Sequence, residues 1–186
     1  MRIISGKYKG KKIFQPIDKE TRPLRDLVKE SIFNLIDHSK KIDVQLENAN
    51  VLDLFSGSGS FGLECISRNA KKVIFVENYK LALNILKKNI SLFNQAENCK
   101  ILEENCFKFL NSTNILKEKF DIIFIDPPYK EKKINQLLEK IKENEFLKNK
   151  GVLMIHRHKN DNIDLTKKIT ILDERKYGIS KIIIAN

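Results

Sequence analysis

No apolar run in the chain approaches the roughly 18 residues that a membrane helix needs. The opening, MRIISGKYKGKK, lacks the apolar stretch of a secretory signal. The chain is therefore expected to be cytoplasmic, with no membrane partner. Cysteine is scarce: Cys65, Cys99 and Cys106 form no CxxC pair and are odd in number. The 3 histidines are badly spaced for zinc. These counts argue against a disulfide framework, a metal site and a cysteine nucleophile, and leave the thiols as reduced packing groups. There are no internal repeats and no low-complexity tract. What remains is an ordinary globular composition, 41% hydrophobic and 32% charged over 186 residues, which suits one domain with a small appendage.

The charge is less ordinary. Lys and Arg number 35 against 24 acids, a net +11. Such an excess favours a polyanionic partner. A bias toward lysine (29, against 6 arginines), with abundant asparagine and isoleucine, is also what AT-rich coding produces. The excess is concentrated at the start, where Arg2, Lys7, Lys9, Lys11 and Lys12 occur among twelve residues with no acid.

Residues 1–20 read as a short basic β-hairpin, with strands Arg2–Ser5 and Lys11–Phe14 joined through Gly6–Gly10. A helix is expected over about Pro23–His38, capped by Thr21, with Leu24, Leu27, Val28, Ile32, Leu35 and Ile36 as its apolar stripe. Ser39–Asn48 reads as a polar linker. This divides the chain into an N-terminal basic extension, residues 1–48, and a main domain, residues 49–186. From Asn50 onward strands and helices alternate. Strands are expected at Val51–Phe55, Lys72–Glu77, Lys100–Glu103, Asp121–Ile125 and Gly151–Ile155. Helices are expected from about Phe61, over Tyr79–Phe93 (with Leu81, Leu83, Ile85, Leu86, Ile90 and Phe93 apolar), over Cys106–Leu116 and over Glu131–Glu143. Ile169–Glu174 and Lys181–Ala185 leave no room for a helix between them and predict an antiparallel hairpin through Lys176–Ser180. The expected fold is α/β: a Rossmann-like, seven-stranded, mostly parallel sheet ending in an antiparallel hairpin.

Two segments carry chemistry. In VLDLFSGSGSFG, residues 51–62, a buried strand runs into a glycine-rich turn and a helix, and Gly57, Gly59 and Gly62 satisfy G-x-G-x-x-G. Glycine lets the backbone turn sharply and approach a ligand closely. Glu77 ends the next strand, KVIFVE, where a carboxylate can accept hydrogen bonds from both ribose hydroxyls. The combination predicts a nucleoside cofactor without separating NAD from S-adenosylmethionine. Asp53 is the hint: a carboxylate at the mouth of the first strand suits the ammonium of a methionine moiety and would repel a pyrophosphate.

In FDIIFIDPPY, residues 120–129, a doubly buried strand ends in Asp126, Pro127, Pro128 and Tyr129, at the edge where open α/β sheets bind ligands. Two prolines hold the backbone extended and remove two N–H donors. The Asp126 carboxylate and neighbouring carbonyls can then accept from one exocyclic amine, and Tyr129 offers a flat face to a base. An NAD oxidoreductase would use the glycine loop but has no evident use for Asp-Pro-Pro-Tyr. An adenine-N6 methyltransferase shares that motif but usually carries its own target-recognition domain. A protein-glutamine methyltransferase more often has Asn at position 126. A non-enzymatic RNA-binding module would explain the charge but not two intact loops.

Asp-Pro-Pro-Tyr behind such a glycine loop resembles the signature of amino-directed methyltransferases. The segments RIISGKYKGKKI, TRPLRDLVKESIFNLI, DLFSGSGSFGLE, FDIIFIDPPY and RKYGISKI together resemble the bacterial small-subunit rRNA guanine-N2 methyltransferase family, over nearly the whole chain. That family modifies the guanine conventionally numbered 966 of 16S rRNA. The resemblance implies S-adenosylmethionine as cofactor and an assembled or partly assembled small ribosomal subunit as partner; a monomer suits reaching into so large a particle. It places Asp53, Gly57, Gly59 and Glu77 in the cofactor site, with Phe55, Asn78, Asn105 and Cys106 alongside, and residues 126–129 at the catalytic site. Arg22, Pro23, Asp26 and Lys29 match a segment near cofactor and substrate, and Arg22 joins the basic hairpin as an RNA contact. The chain departs from the family twice. Asn105 replaces a usual aspartate near the adenine, where its amide oxygen could still accept. Ile155-His156-Arg157-His158 replaces a stretch usually carrying a glutamate, and both histidines read as strand-end surface groups.

Overall fold

The computed structural model describes residues 1–17, 24–94, 96–111, 118–161, 165 and 169–186. From the N-terminus its elements are α1 (Asp26–His38), β1 (Asn50–Leu54), α2 (Ser60–Ser67), β2 (Lys72–Val76), α3 (Lys80–Ser91), β3 (Cys99–Leu102) and α4 (Cys106–Asn111). These are followed by β4 (Phe120–Ile125), α5 (Ile134–Glu143), β5 (Leu147–His158), β6 (Ile171–Tyr177) and β7 (Ser180–Ala185). The sheet has seven strands in the order β3-β2-β1-β4-β5-β7-β6. Pairing is parallel from β3 through β5. The β5–β7 and β7–β6 ladders are antiparallel, the mixed edge expected of the terminal hairpin. Gly178 makes its turn in the left-handed region (φ 58°).

Alternate strand residues build two apolar layers, as a sheet covered on both faces requires. Val51, Val73, Phe75, Ile122, Phe124 and Met154 pack with α1, α2 and α3. Leu52, Leu54, Ile74, Ile123, Ile125 and Ile155 pack with α4 and α5. An aromatic stack ties α1 through α2 to the sheet: Phe33–Phe61 centroids lie 5.2 Å apart and Phe61–Phe124 centroids 4.1 Å. Gly62 permits this approach, because a Cβ there would stand 2.3 Å from Phe75 Cε1.

The N-terminal segment shares the first layer: Ile3, Ile13, Leu24, Val28 and Ile32 belong to the same cluster as the strands. The hairpin is present but minimal, an isolated antiparallel bridge at Arg2–Lys12 flanked by Ile3 and Ile13 amide bonds to Lys11 and Met1 carbonyls. Gly6 (φ 77°) presses on the end of α2, where a Cβ would meet the Ser67 carbonyl. Residues 39–48 are not the polar spacer expected, since Val44 and Leu46 are buried.

Several boundaries differ from those expected. α1 starts at Asp26, with Arg25 at its N-cap and no side-chain cap; Thr21, Arg22 and Pro23 lie outside the described residues. Leu27 and Leu81 are 67% and 51% exposed, so each apolar stripe is narrower than its sequence pattern. α5 begins three residues later than expected, because Glu131 first closes a turn on the Pro128 carbonyl (2.8 Å). Of the helix expected over Cys106–Leu116, the part from Ser112 lies outside the described residues. Among the described residues no helix is long and apolar enough to cross a membrane.

Candidate active site

The strand order reverses between β1 and β4: β2 and β3 lie to one side of this pair, β5, β7 and β6 to the other. Such a switch point leaves a crevice at the strands' C-terminal ends. The register pairs Leu54 with Ile125, and the Asp126 amide donates to the Leu54 carbonyl at 3.3 Å. Residues 72 positions apart thus become neighbours at the mouth of the sheet. A cleft of about 980 Å³ opens there, lined by Asp53, Phe55, Gly57, Glu77, Asn78, Asn105 and all four residues of Asp126–Tyr129.

The glycine turn is built as its residues demand. Phe55 (φ 59°), Gly57 (φ 55°) and Gly59 (φ 79°) all occupy the left-handed region. A strained non-glycine residue at a strand's open end is characteristic of a functional site. Gly59 acts from beneath: a Cβ there would meet Leu86 Cδ1 at 2.4 Å. Glu77 holds the turn. Its Oε2 accepts from the Gly57 N–H, and its Oε1 accepts from the Asn78 and Tyr79 N–H groups, each at 2.8 Å. The Tyr79 bond satisfies the otherwise open start of α3. One lone pair remains for a ligand, on Oε2.

Asp53 is 1% exposed and accepts from the Gly62 N–H at 3.1 Å. Burial pushes its carboxyl well above the usual carboxylate range; the Gly62 N–H opposes this, and the carboxylates of Asp126 and Glu77 add to it. The cleft of a chain with net charge +11 is therefore locally acidic. A cationic group entering beside Asp53 relieves that repulsion, and a pyrophosphate increases it. The donor set fits a sulfonium–ammonium cofactor.

Two expected cofactor contacts are placed differently. Cys106 does not line the cleft: it is buried beneath the turn, with Sγ 3.3 Å from the Phe55 amide nitrogen. Burial raises the Cys65 and Cys106 thiols strongly and pushes Cys99 up to about 12, so none is a thiolate near neutral pH. Asn105 does line the cleft, but its Oδ1 caps α4 by accepting from Phe107 (3.0 Å) and Lys108 (3.3 Å) N–H groups. The amide it can offer a base is thus chiefly a donor.

The N-terminal expectations divide. Arg2, Lys7, Lys9 and Lys12 are exposed. Lys11 is partly buried; its Nζ bonds the Leu92 carbonyl and lies 5.0 Å from the Phe93 ring centroid. Arg22 lies outside the described residues. Lys29 does not line the cleft: fully buried, it donates to the Arg2 carbonyl (2.7 Å) and to Ser60 Oγ (3.2 Å) and stands 3.6 Å from Glu64. Glu64 in turn accepts from the Ile4 and Ser5 amides at 2.7 and 2.9 Å. Gln15, Pro16, Leu24 and Arg25 form one wall of the cleft.

The largest correction concerns the end of β5. His156 is not a surface group. It is 7% exposed and lines the cleft, with Nδ1 2.7 Å from Asp126 Oδ1. Arg157, 3% exposed, donates to the carbonyls of Pro128 and Tyr129 (3.3 Å each) and Glu131 (2.9 Å). Both grip the Asp-Pro-Pro-Tyr loop from a strand whose sequence shows no sign of it, beyond the departure from the family pattern. Among the described residues no group of three His, Cys, Asp or Glu could hold a metal.

Known proteins resemble this chain in sequence and fold. The family model described as "Conserved hypothetical protein 95" matches residues 1–186. The ribosomal RNA small subunit methyltransferase D of Haemophilus influenzae is 32% identical over 180 residues, covering 96% of this chain and 90% of the relative. The Escherichia coli protein of the same name is 28% identical over 155 residues, covering 83% and 73%. A solved Escherichia coli structure, whose name proposes a methyltransferase, superposes with TM-score 0.82 at 25% identity, covering 100% of this chain and 96% of its own. The fold is that of class I methyltransferases. The chain belongs to the Conserved hypothetical protein 95 family, which it shares with the ribosomal RNA small subunit methyltransferases D.

Proposed function

We propose that this chain methylates the exocyclic N2 amine of a guanine in 16S rRNA, the one conventionally numbered 966, using S-adenosylmethionine. The observation that carries this reading is Asp126, placed at the switch-point cleft beside the buried Asp53, in a chain related throughout to small-subunit rRNA methyltransferases. The substrate is an assembled or partly assembled small subunit, the working unit a monomer, and the compartment the cytoplasm.

When bound, the cofactor supplies an activated methyl on sulfur. Asp53 would hold its ammonium, and Glu77 would accept from the ribose with the lone pair left on Oε2. The guanine amine is a weak nucleophile, because its lone pair is delocalised into the base. Asp126 accepts one amine N–H and the Pro127 carbonyl another, which turns the lone pair toward the methyl and stabilises charge growing on nitrogen. The amine nitrogen would take the methyl that the sulfonium supplies, and its surplus proton would leave through Asp126. Tyr129 stacks on the base, which must leave its own stack to be reached.

The test is single-turnover methylation of small subunits, with cofactor affinity measured on the same protein. Asp126→Ala should slow transfer by a factor on the order of 10²–10⁴ and leave cofactor binding intact. Asp126→Asn should fall in between. Transfer within a few-fold of wild type would reduce the turn to a structural feature. Mass spectrometry of rRNA nucleosides from a deletion strain should show loss of N2-methylguanosine; loss of N6-methyladenosine instead would transfer the reading to adenine.

A further inference from the structure

Asp126 and His156 each lie one residue beyond the paired Ile125 and Ile155 of the parallel β4–β5 ladder. Parallel register brings them to the same level, and the imidazole Nδ1 meets Asp126 Oδ1 at 2.7 Å. An ionised carboxylate has no proton to give, so Nδ1 carries the hydrogen and Nε2 a lone pair. That lone pair lies 3.5 Å from the Tyr129 hydroxyl, long for a hydrogen bond, so the weight of the argument rests on the Asp126 contact. The imidazole is buried, whereas the Asp126 side chain keeps 21% of its surface open to the cleft.

We propose that His156 is a positioning residue for methyl transfer: its Nδ1–H fixes Asp126 through Oδ1 and presents Oδ2 to the amine, and protonation of Nε2 turns the site down. This rests on the assignment of Asp126 to amine binding. Protonation makes the ring an imidazolium, which draws the Asp126 charge toward itself and weakens it as an acceptor. It also removes the lone pair facing Tyr129.

Among the described residues, few other groups bear on the ring. Asp126 and Tyr129 face it from the turn after β4, and Asp53 lies behind Asp126. On β5, the His158 ring meets Tyr129 edge-on at 5.2 Å. The neighbouring Arg157 guanidinium is held by loop carbonyls and Asp161. On β7, the residue opposite is the apolar Ile182, while the next cation, Lys181, donates to the Asp161 carbonyl.

The experiment measures single-turnover methylation of small subunits against pH, with cofactor affinity determined for each protein. His156→Asn places an N–H near the position of Nδ1 but does not titrate; His156→Phe has no donor. Loss of one hydrogen bond to a charged group predicts that His156→Phe transfers methyl about 10-fold more slowly or worse, with cofactor affinity within about two-fold. His156→Asn should keep most of the plateau rate and lose the acid limb due to the imidazole. An acid limb shared by wild type and His156→Asn, or an undiminished rate in a cofactor-binding His156→Phe, overturns the proposal. If His156→Phe fails to bind cofactor, the pH profile of His156→Asn decides alone. An inactive Asp126→Ala beside unaffected His156 variants sinks this inference only, whereas an active Asp126→Ala sinks both.

Discussion

Glu77 Oε2 and the Gly57 amide are 2.8 Å apart, so the carboxylate that ends β2 pins the turn that follows β1. Its other oxygen closes the start of α3. A residue expected only to meet ribose thus also shapes the loop. Glu77→Ala should weaken S-adenosylmethionine binding by about 1–3 kcal/mol and lower the thermal midpoint as well, because three part-buried backbone hydrogen bonds lose their acceptor. Glu77→Gln keeps one acceptor oxygen and should lose less of both. Calorimetry returning wild-type affinity for the alanine variant would remove Glu77 from the cofactor site.

Asp53 gives a pH-dependent signature. Its carboxyl is raised in the folded protein, chiefly by burial. An acid raised on folding contributes stability that is complete below its unfolded value and is lost as pH rises through the folded one. Above the usual carboxylate range the cofactor-free protein therefore loses stability, first because it holds a proton that the unfolded chain has released and, at higher pH, because it buries a charge. Asp53→Asn should raise the thermal midpoint of the cofactor-free protein there, by roughly 2–4 °C per kcal/mol of relief for a chain of this size. The same change should weaken S-adenosylmethionine binding. Calorimetry in buffers of different ionisation enthalpy should also detect proton release when wild type binds cofactor, and Asp53→Asn should abolish it.

The basic hairpin is not uniform. Neutralising the exposed Arg2, Lys7, Lys9 and Lys12 should reduce the log–log salt slope of RNA binding by about 0.7–0.9 for each phosphate no longer neutralised, without altering cofactor affinity. Lys11→Met should instead lower stability and leave the slope nearly unchanged, because its ammonium already serves the Leu92 carbonyl and the Phe93 ring. Filter binding across a salt series decides: an unchanged slope in the quadruple variant would make the hairpin a basic surface only.

Lys29 and Glu64 are both fully buried. Burial lowers the Lys29 ammonium from its usual range, and Glu64 partly offsets this. Lys29→Met leaves Glu64 with Arg68, 3.1 Å from Oε1, as its remaining cation, and should cost up to about 3–5 kcal/mol, the figure for a buried charge left wholly unpaired. Adding Glu64→Gln should recover part of that loss. Urea unfolding of the single and double variants would show the coupling; strict additivity would mean that the pair does not act as a unit.

Local chemistry was legible in the residues themselves. Short apolar runs such as IIFI, bounded by turn residues, suit interior strands, glycine supplies two of the three left-handed positions after β1 (Phe55 takes the other), and two prolines after Asp126 cannot continue a helix or a ladder. The alternation of strands and helices, the glycine turn and the Asp-Pro-Pro-Tyr loop follow from such short-range constraints. What pairs with what did not follow. Only tertiary structure sets β4 beside β1 and so brings Asp126 to Asp53, and only the β4–β5 register lifts His156 under Asp126. Lys29 reads as a charged residue on an amphipathic helix and lies buried because Glu64 and the Arg2 carbonyl, from two other segments, converge on it. Leu27 reads as core and is exposed because none of the described segments covers it. Periodicity and turn chemistry act within a few residues and leave their mark on the sequence. Contacts across the sheet join residues tens of positions apart, and their energy depends on a register that no local pattern encodes.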